Sequence, residues 1–264
     1  MSSAHAHGQP ARRPRRRRLS GLSGLAVAGA IGVTAALATV PLLHPLPTFG
    51  KAPPDTALIP LPAPSAPCAA GPAQREVETY IAAHPGYGHV TADGVQSPED
   101  CTAIRTLQER FDVRNPSGSA DALTGALISR LNSAPVGSCD TNGPAVNICV
   151  DLTTQTMWAV RDSEVVLGPT IIRSGKAGEE TPTGDFTIHE KKRHTVSTIT
   201  GTPMEYWQHM QDGYGFHQAW SYLHDPNVSG SLGCVNMTRK DSADLFSLTN
   251  PGTSVHIFGR KPGT

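Results

Sequence analysis

The sequence carries no net charge. Its 22 Lys and Arg are balanced by 22 Asp and Glu, and these four types make up only 17% of the 264 residues. A neutral chain offers little field to phosphates, which argues against nucleic acid as a partner. HExxH and similar metal-ligand spacings are also missing. A zinc hydrolase drawing on His189, His194, His209, His217 and His224 therefore has the spacing against it. Long uninterrupted helices are disfavoured by 26 glycines and 23 prolines, a composition suited to turns, linkers and short strands. Cysteines are few, and their number is odd, at five.

What is present is unevenly distributed. "ARRPRRRR", Ala11 to Arg18, closes a basic segment of residues 1–18, and residues 19–43 that follow hold no charge. A basic run before an uncharged apolar run predicts a signal peptide or a membrane anchor, with the N-terminus in the cytoplasm and the rest outside. The run is long enough to span ~30 Å of hydrocarbon. "ALA" at Ala36–Ala38 is a passable cleavage site, so anchor and cleaved signal both stand. A nucleic-acid-binding arginine tail is the other reading of the basic residues. The Pro-rich residues 44–67 predict a stiff, extended linker holding the folded part away from a bilayer.

Residues 68–134 predict a small α-helical domain. In "SPEDCTAIRTLQERF", Ser97 is the expected N-cap, Pro98 the first helical residue and Asp100 the capping-box partner; Cys101, Ile104, Leu107 and Phe111 recur at helical spacing. "TADG", "AIRTLQERF" and "TGALISRL" resemble the three-helix peptidoglycan-binding module found beside wall enzymes; a plain helical spacer is the alternative. From residue 135 to 264 the period becomes two. "AVNICVDLTTQTMWAVRDSEVVLGPTIIRSG" predicts strands joined by a hairpin at "RDSE", while "GDFTIHEKK" and "TSVHIFG" predict further strands. "TRKDSADLFSL" predicts a short helix with Thr238 and Asp241 as a capping box. The expected class is mainly β, a sandwich or partly closed barrel behind the helical domain.

Export places the chain where disulfides persist. Cys68 and Cys101 fall in the helical part, and Cys139 and Cys149 flank the first predicted strand, so pairing within each part is the simplest arrangement. It leaves Cys234 as a free thiol. An inert buried cysteine is one reading of it. A nucleophile is the other, because Gly233 permits close approach of backbone to a ligand and His217 lies seventeen residues upstream as a candidate base.

The stretch "FHQAW…GSLGCVNM" then resembles the signature of the YkuD-type L,D-transpeptidases. "CVDLTTQTMWAV" and "SGKAGEETPTGDFTI" extend the resemblance over roughly residues 140 to 260. It implies a YkuD-type β-sandwich in which Cys234 is the nucleophile and His217 the general base. Peptidoglycan stem peptides would be the substrate, a 3→3 cross-link the product, and no cofactor or metal would be needed. Gly233, Ser231 and Asn236 would shape the oxyanion site and its turn, and Tyr206, Trp207, Trp220 and Gln218 would line the substrate cleft. Carbapenem-type lactams would be inhibitors. The sequence departs from the signature at Leu232, where the family has a second histidine, and at Gln218. That leaves L,D-carboxypeptidase activity, or a decayed peptidoglycan-binding protein, as alternatives.

Overall fold

The structure is a computed structural model, and it describes residues 68–139, 143–219, 223–225 and 228–264. The basic, apolar and Pro-rich segments of residues 1–67 lie outside the described residues, as does Trp220. Among the described residues, no helix is long and apolar enough to cross a membrane.

Three helices open the described chain: α1 (Gln74–Ala83), α2 (Pro98–Arg110) and α3 (Ala122–Asn132). Local chemistry accounts for their starts. Ser97 accepts from the Asp100 backbone N–H at 3.1 Å, and the Asp100 carboxylate accepts from the Ser97 N–H at 2.9 Å. This reciprocal cap, with Pro98 at the first helical position, contributes on the order of 1 kcal/mol. Asp121 caps α3 by accepting from the Thr124 N–H at 2.8 Å. Val77, Ile81, Ile104, Leu107, Leu127 and Ile128 bury against one another. A Cys68–Cys101 disulfide, with Cα atoms 5.8 Å apart, ties the start of this segment to α2.

Past a single 3₁₀ turn (Val136–Ser138), the described chain forms nine strands and one more helix. These are β1 (Asn147–Asp151), β2 (Thr156–Arg161), β3 (Glu164–Arg173), β4 (Gly184–Thr187), β5 (Glu190–Val196), β6 (Pro203–Gln211), β7 (Tyr214–Gln218), β8 (Val235–Met237), α4 (Arg239–Leu248) and β9 (Ser254–Phe258). The hairpin predicted at "RDSE" turns on Asp162 and Ser163, both at positive φ (51° and 65°), as a two-residue hairpin requires. "GDFTIHEKK" forms two strands, β4 and β5, where one was expected: Ile188 turns fully into the core between them. Cys149 lies within β1, not at its edge, and is bonded to Cys139.

The strands form one sheet in the order β4-β9-β1-β2-β3-β8-β7-β6-β5. Of the sandwich and the partly closed barrel expected, the strands give the second: one sheet curled into a half-barrel, in which β3 belongs to both halves, pairing with β2 along most of its length and with β8 at Ile172 and Arg173. Ile148 and Val150 of β1 meet Met210 of β6, Phe216 of β7 and Val235 of β8 in one core.

The helical segment packs directly on this sheet. Ile171 of β3, Ala219 and Leu223 complete its core. Arg130 of α3 donates to the carbonyls of Gln155 and Ile172, both at 2.6 Å. At the start of α4, Thr238 caps the helix as expected, accepting from the Asp241 N–H at 3.1 Å. The Asp241 carboxylate, however, does not return to the Thr238 backbone. It accepts from both terminal nitrogens of Arg110 in α2 (2.5 and 3.1 Å) and from Thr170 Oγ1 at 2.6 Å. It keeps a local partner as well, accepting from the Thr238 hydroxyl at 2.5 Å, so the cap and a charged partner from a distant helix share one carboxylate.

Candidate active site

Strands β7 and β8 run parallel, with Phe216 opposite Val235, His217 opposite Asn236 and Gln218 opposite Met237. Side chains alternate across a strand, so Phe216, Val235 and Met237 point into the core and are at most 0% exposed. His217 and Asn236 take the other face, and the same alternation brings Cys234, two residues before Asn236, to that face. His217 and Cys234 both line a cleft of about 460 Å³, together with Trp207, His209, Ser231 and Leu232.

The ring of His217 is held at both nitrogens. Nδ1 lies 2.9 Å from the Gln218 carbonyl oxygen, and Nε2 lies 2.8 Å from Asn236 Nδ2. A carbonyl can only accept, so the proton sits on Nδ1. Nε2 then bears the lone pair and accepts from the Asn236 amide. Burial pushes the His217 pKa down, with the Gln218 carbonyl acting against it. Burial pushes the Cys234 thiol up to about 11, with a backbone hydrogen bond at Gly215 acting against it. At neutral pH the resting pair is therefore a neutral thiol and a neutral imidazole, not a preformed ion pair. The thiol itself is weakly held, with Sγ 3.8 Å from the Gly213 carbonyl.

The turn that presents Cys234 is knotted on itself. Ser231 Oγ accepts from the Gly233 N–H at 3.1 Å and donates to the Cys234 carbonyl at 2.6 Å. Gly233 adopts φ +99°, and a Cβ there would fall 2.2 Å from Tyr214 Cε1, so a side chain at this position would be strained and would have to displace the Tyr214 ring. Thr181 reaches in from the "TPTG" stretch: its Oγ1 accepts from the Gly175 N–H at 2.9 Å and donates to the Gly233 carbonyl at 2.8 Å. Ser231 also pairs with the strand end at Gly175 through Ser231 N–H to Ser174 O and Lys176 N–H to Ser231 O, both 3.1 Å.

The structure thus brings Cys234, His217, Ser231, Gly233, Asn236 and Trp207 together. It places two residues predicted for the cleft elsewhere. Tyr206, at φ +56°, packs edge-on against Phe246 of α4, under Arg193, on the far side of β6 from Trp207. Gln218 is buried, and what it offers is its carbonyl. Sequence reasoning gave no role to that carbonyl or to Thr181. It also missed the β5–β6 hairpin, where Val196 and the 79%-exposed Ile199 border the cleft. Of the other histidines, His194 bonds Glu205 at 2.6 Å and His224 bonds the Phe111 carbonyl at 2.6 Å. Among the described residues, no three metal-ligating side chains are grouped.

The family model of the YkuD L,D-transpeptidase catalytic domain matches residues 145–257, which includes both His217 and Cys234. The crystal structure of an L,D-transpeptidase (Yku) from Stackebrandtia nassauensis is 36% identical, covers 76% of this chain and 100% of its own, and superimposes with a TM-score of 0.70. The chain belongs to the YkuD L,D-transpeptidase family. Less similar are an L,D-transpeptidase from Enterococcus faecium (30% identity, 44% of this chain and 50% of that one, TM-score 0.38) and one from Mycobacterium smegmatis (21%, 43% and 58%, 0.40). No curated protein matches the chain. As a YkuD L,D-transpeptidase the chain is a transferase of peptidoglycan cross-linking. Against the signature of that family, Leu232 is the departure that faces the cleft. It is 37% exposed and offers only apolar surface.

Proposed function

We propose that this L,D-transpeptidase works through Cys234 and makes 3→3 cross-links between peptidoglycan stem peptides. The observation that carries this reading is the face shared by Cys234 and His217, with an unprotonated Nε2 on the histidine. His217 Nε2 exchanges its Asn236 contact for the thiol and takes the Sγ proton. Sulfur then attacks the carbonyl carbon of the third stem residue. The Gly233 N–H is already committed to Ser231, so the oxyanion donor we assign is the Cys234 N–H. The terminal D-Ala leaves as its amine after taking the proton from the imidazolium, and a thioester remains on Cys234. The side-chain amine of a third residue on another stem attacks the thioester, loses its proton to His217, and frees the thiol. The Gln218 carbonyl steadies the imidazolium through Nδ1–H while the charge exists. Leu232 enters none of these steps, which is why its divergence from the family is compatible with activity.

The same reading makes a strained lactam carbonyl an acyl donor, so a carbapenem is an expected inhibitor. Residues 68–134 serve as the wall-binding part and residues 19–43 deliver or anchor the chain outside the cytoplasm; both assignments rest on the sequence. The test is mass spectrometry of purified muropeptides incubated with the protein, beside intact-mass analysis after a carbapenem. The expected result is 3→3 dimers and a single lactam adduct, both lost in Cys234→Ala. Tripeptides without dimers would make the enzyme an L,D-carboxypeptidase. An adduct that survives Cys234→Ala would overturn the assignment of the nucleophile.

A further inference from the structure

Lys261 lies past β9, beyond the residues that the family model matches. Its ammonium is spent on the backbone around the nucleophile turn. Nζ donates to the carbonyls of Ser174 and Gly175, each at 3.1 Å, and to the carbonyl of Ser229. These are three acceptors for three protons, and no carboxylate is among them. Ser174 and Gly175 end the strand on which Ser231 pairs, and Ser229 begins the turn that runs through Gly230 and Ser231 to Cys234. The fit is close: a Cβ on Gly230 would fall 2.6 Å from Nζ. The lysine is itself held. Gly259, at φ +77°, turns the chain away from β9 at a point where a Cβ would meet Thr153 Oγ1 at 2.4 Å, and the Arg260 N–H donates to that hydroxyl at 3.2 Å.

Besides the backbone bridge at Ser231, two side chains therefore fasten the turn from outside. Thr181 holds its end at Gly233, and Lys261 holds its beginning at Ser229. A lysine that only solubilised the tail would keep its ammonium in water. This one trades hydration for three carbonyls, although burial and the neighbouring Arg173 and Arg130 push its pKa down.

We propose that Lys261 is a positioning residue for catalysis: it locks Ser229 against Ser174 and Gly175 and so fixes the turn from which Cys234 meets His217. The inference rests on the proposed role of Cys234 for its kinetic consequence, though not for its structural one. Lys261 touches no reacting atom. Its effect belongs in the rate of acylation and not in the binding of the acyl donor, because misplacing a nucleophile by a fraction of an ångström weakens the attack and leaves the cleft walls intact.

The experiment compares the parent with Lys261→Met, Lys261→Arg and, as a control on the same tail, Arg260→Ala. Carbapenem acylation is followed to saturation, so that the limiting rate and the half-saturating concentration separate. Amide hydrogen exchange is read over residues 174–176 and 229–234. The expected result for Lys261→Met is a limiting rate down about 10–100-fold, half-saturation within about twofold, and faster exchange in those two segments. Lys261→Arg should recover most of the rate, and Arg260→Ala should behave as the parent. Unchanged exchange in Lys261→Met overturns the proposal whatever the kinetics do. So does a loss confined to half-saturation, or an arginine variant no better than methionine. If Lys261→Met does not fold, the same readings on Lys261→Gln, which keeps two donor protons, decide. A parent that is not acylated at all would instead overturn the role of Cys234, and the exchange data would still judge Lys261.

Discussion

Two partly buried acid–base pairs in this molecule are treated in opposite ways. At the junction of α2 and α4, Arg110 and Asp241 form an ion pair. The Asp241 side chain is 1% exposed, yet its oxygens accept from both Arg110 nitrogens, from Thr170 and from Thr238 at 2.5 Å. In the cleft, Cys234 and His217 are kept neutral. Burial disfavours the charge on each, and the sulfur's hydrogen bond to Gly213 is long, at 3.8 Å. A saturated ion pair holds two elements in one geometry. A neutral pair whose thiol is weakly held suits the proposed chemistry, in which charges appear only when substrate arrives. The difference predicts that damage to the first pair shows as lost stability and damage to the second as lost rate.

The largest expected effect is on rate. His217→Ala should slow acylation of Cys234 by about 10²–10⁴-fold, which is ~3–5 kcal/mol of barrier, while denaturant unfolding shifts little. Stopped-flow acylation with folding checked by circular dichroism measures both. A variant that acylates at nearly the parent rate would break the comparison at the cleft.

The junction should respond in the other currency. Arg110→Ala leaves the Asp241 charge buried without its cation, at a cost of about 3–5 kcal/mol in unfolding free energy. Acylation per folded molecule should change only a few-fold. If stability is unmoved, the junction pair does not hold the helices on the sheet as described.

A smaller effect is expected from pH. The folded Cys234 thiol is raised from 9.0 to about 11, so the folded state keeps its proton where the unfolded chain loses it. This contribution is complete below pH 9 and is lost as pH climbs toward 11, up to about 3 kcal/mol. For His217 the folded pKa is lowered from 6.5. Its contribution is present above pH 6.5 and is lost as pH falls through the folded value. Thermal unfolding against pH should show a smaller alkaline loss in Cys234→Ala than in the parent, the rest coming from the raised Tyr80 and Tyr87, and a smaller acid loss in His217→Gln, the rest coming from the lowered His224.

The smallest effect sharpens the boundary of the cleft pair. Leu232→Ala removes exposed apolar surface and keeps the backbone, so stability should move within about 0.5 kcal/mol and acylation within about twofold. A large loss in the same assay would give Leu232 a part in the chemistry that the site does not show.

Local chemistry made much of this protein legible in advance. The Ser97 cap, the stripe of Ile104, Leu107 and Phe111, and the turn at Asp162 and Ser163 depend on residues a few positions apart, and they form as their order implies. The in-part pairing of Cys68 with Cys101 and of Cys139 with Cys149, with Cys234 left free, follows from an odd count divided between two segments. The residue types at the site were equally readable, because thiol and imidazole are named by their side chains.

Tertiary structure alone decided which groups those side chains meet. Tyr206 and Trp207 are neighbours in the chain, yet the positive φ of Tyr206 and the packing of α4 send them to opposite sides of β6. Asp241 looked like a local cap and became the partner of an arginine 131 residues away. Gln218 looked like a cleft side chain and contributes a carbonyl. Thr181 and Lys261 hold the turn that carries Cys234 through carbonyls, 52 residues away in one case and 32, 86 and 87 in the other. Every residue carries a carbonyl, so none is marked for this use by its side chain. The curl of the sheet selects it, by closing the ends of β3, β8 and β9 onto one turn.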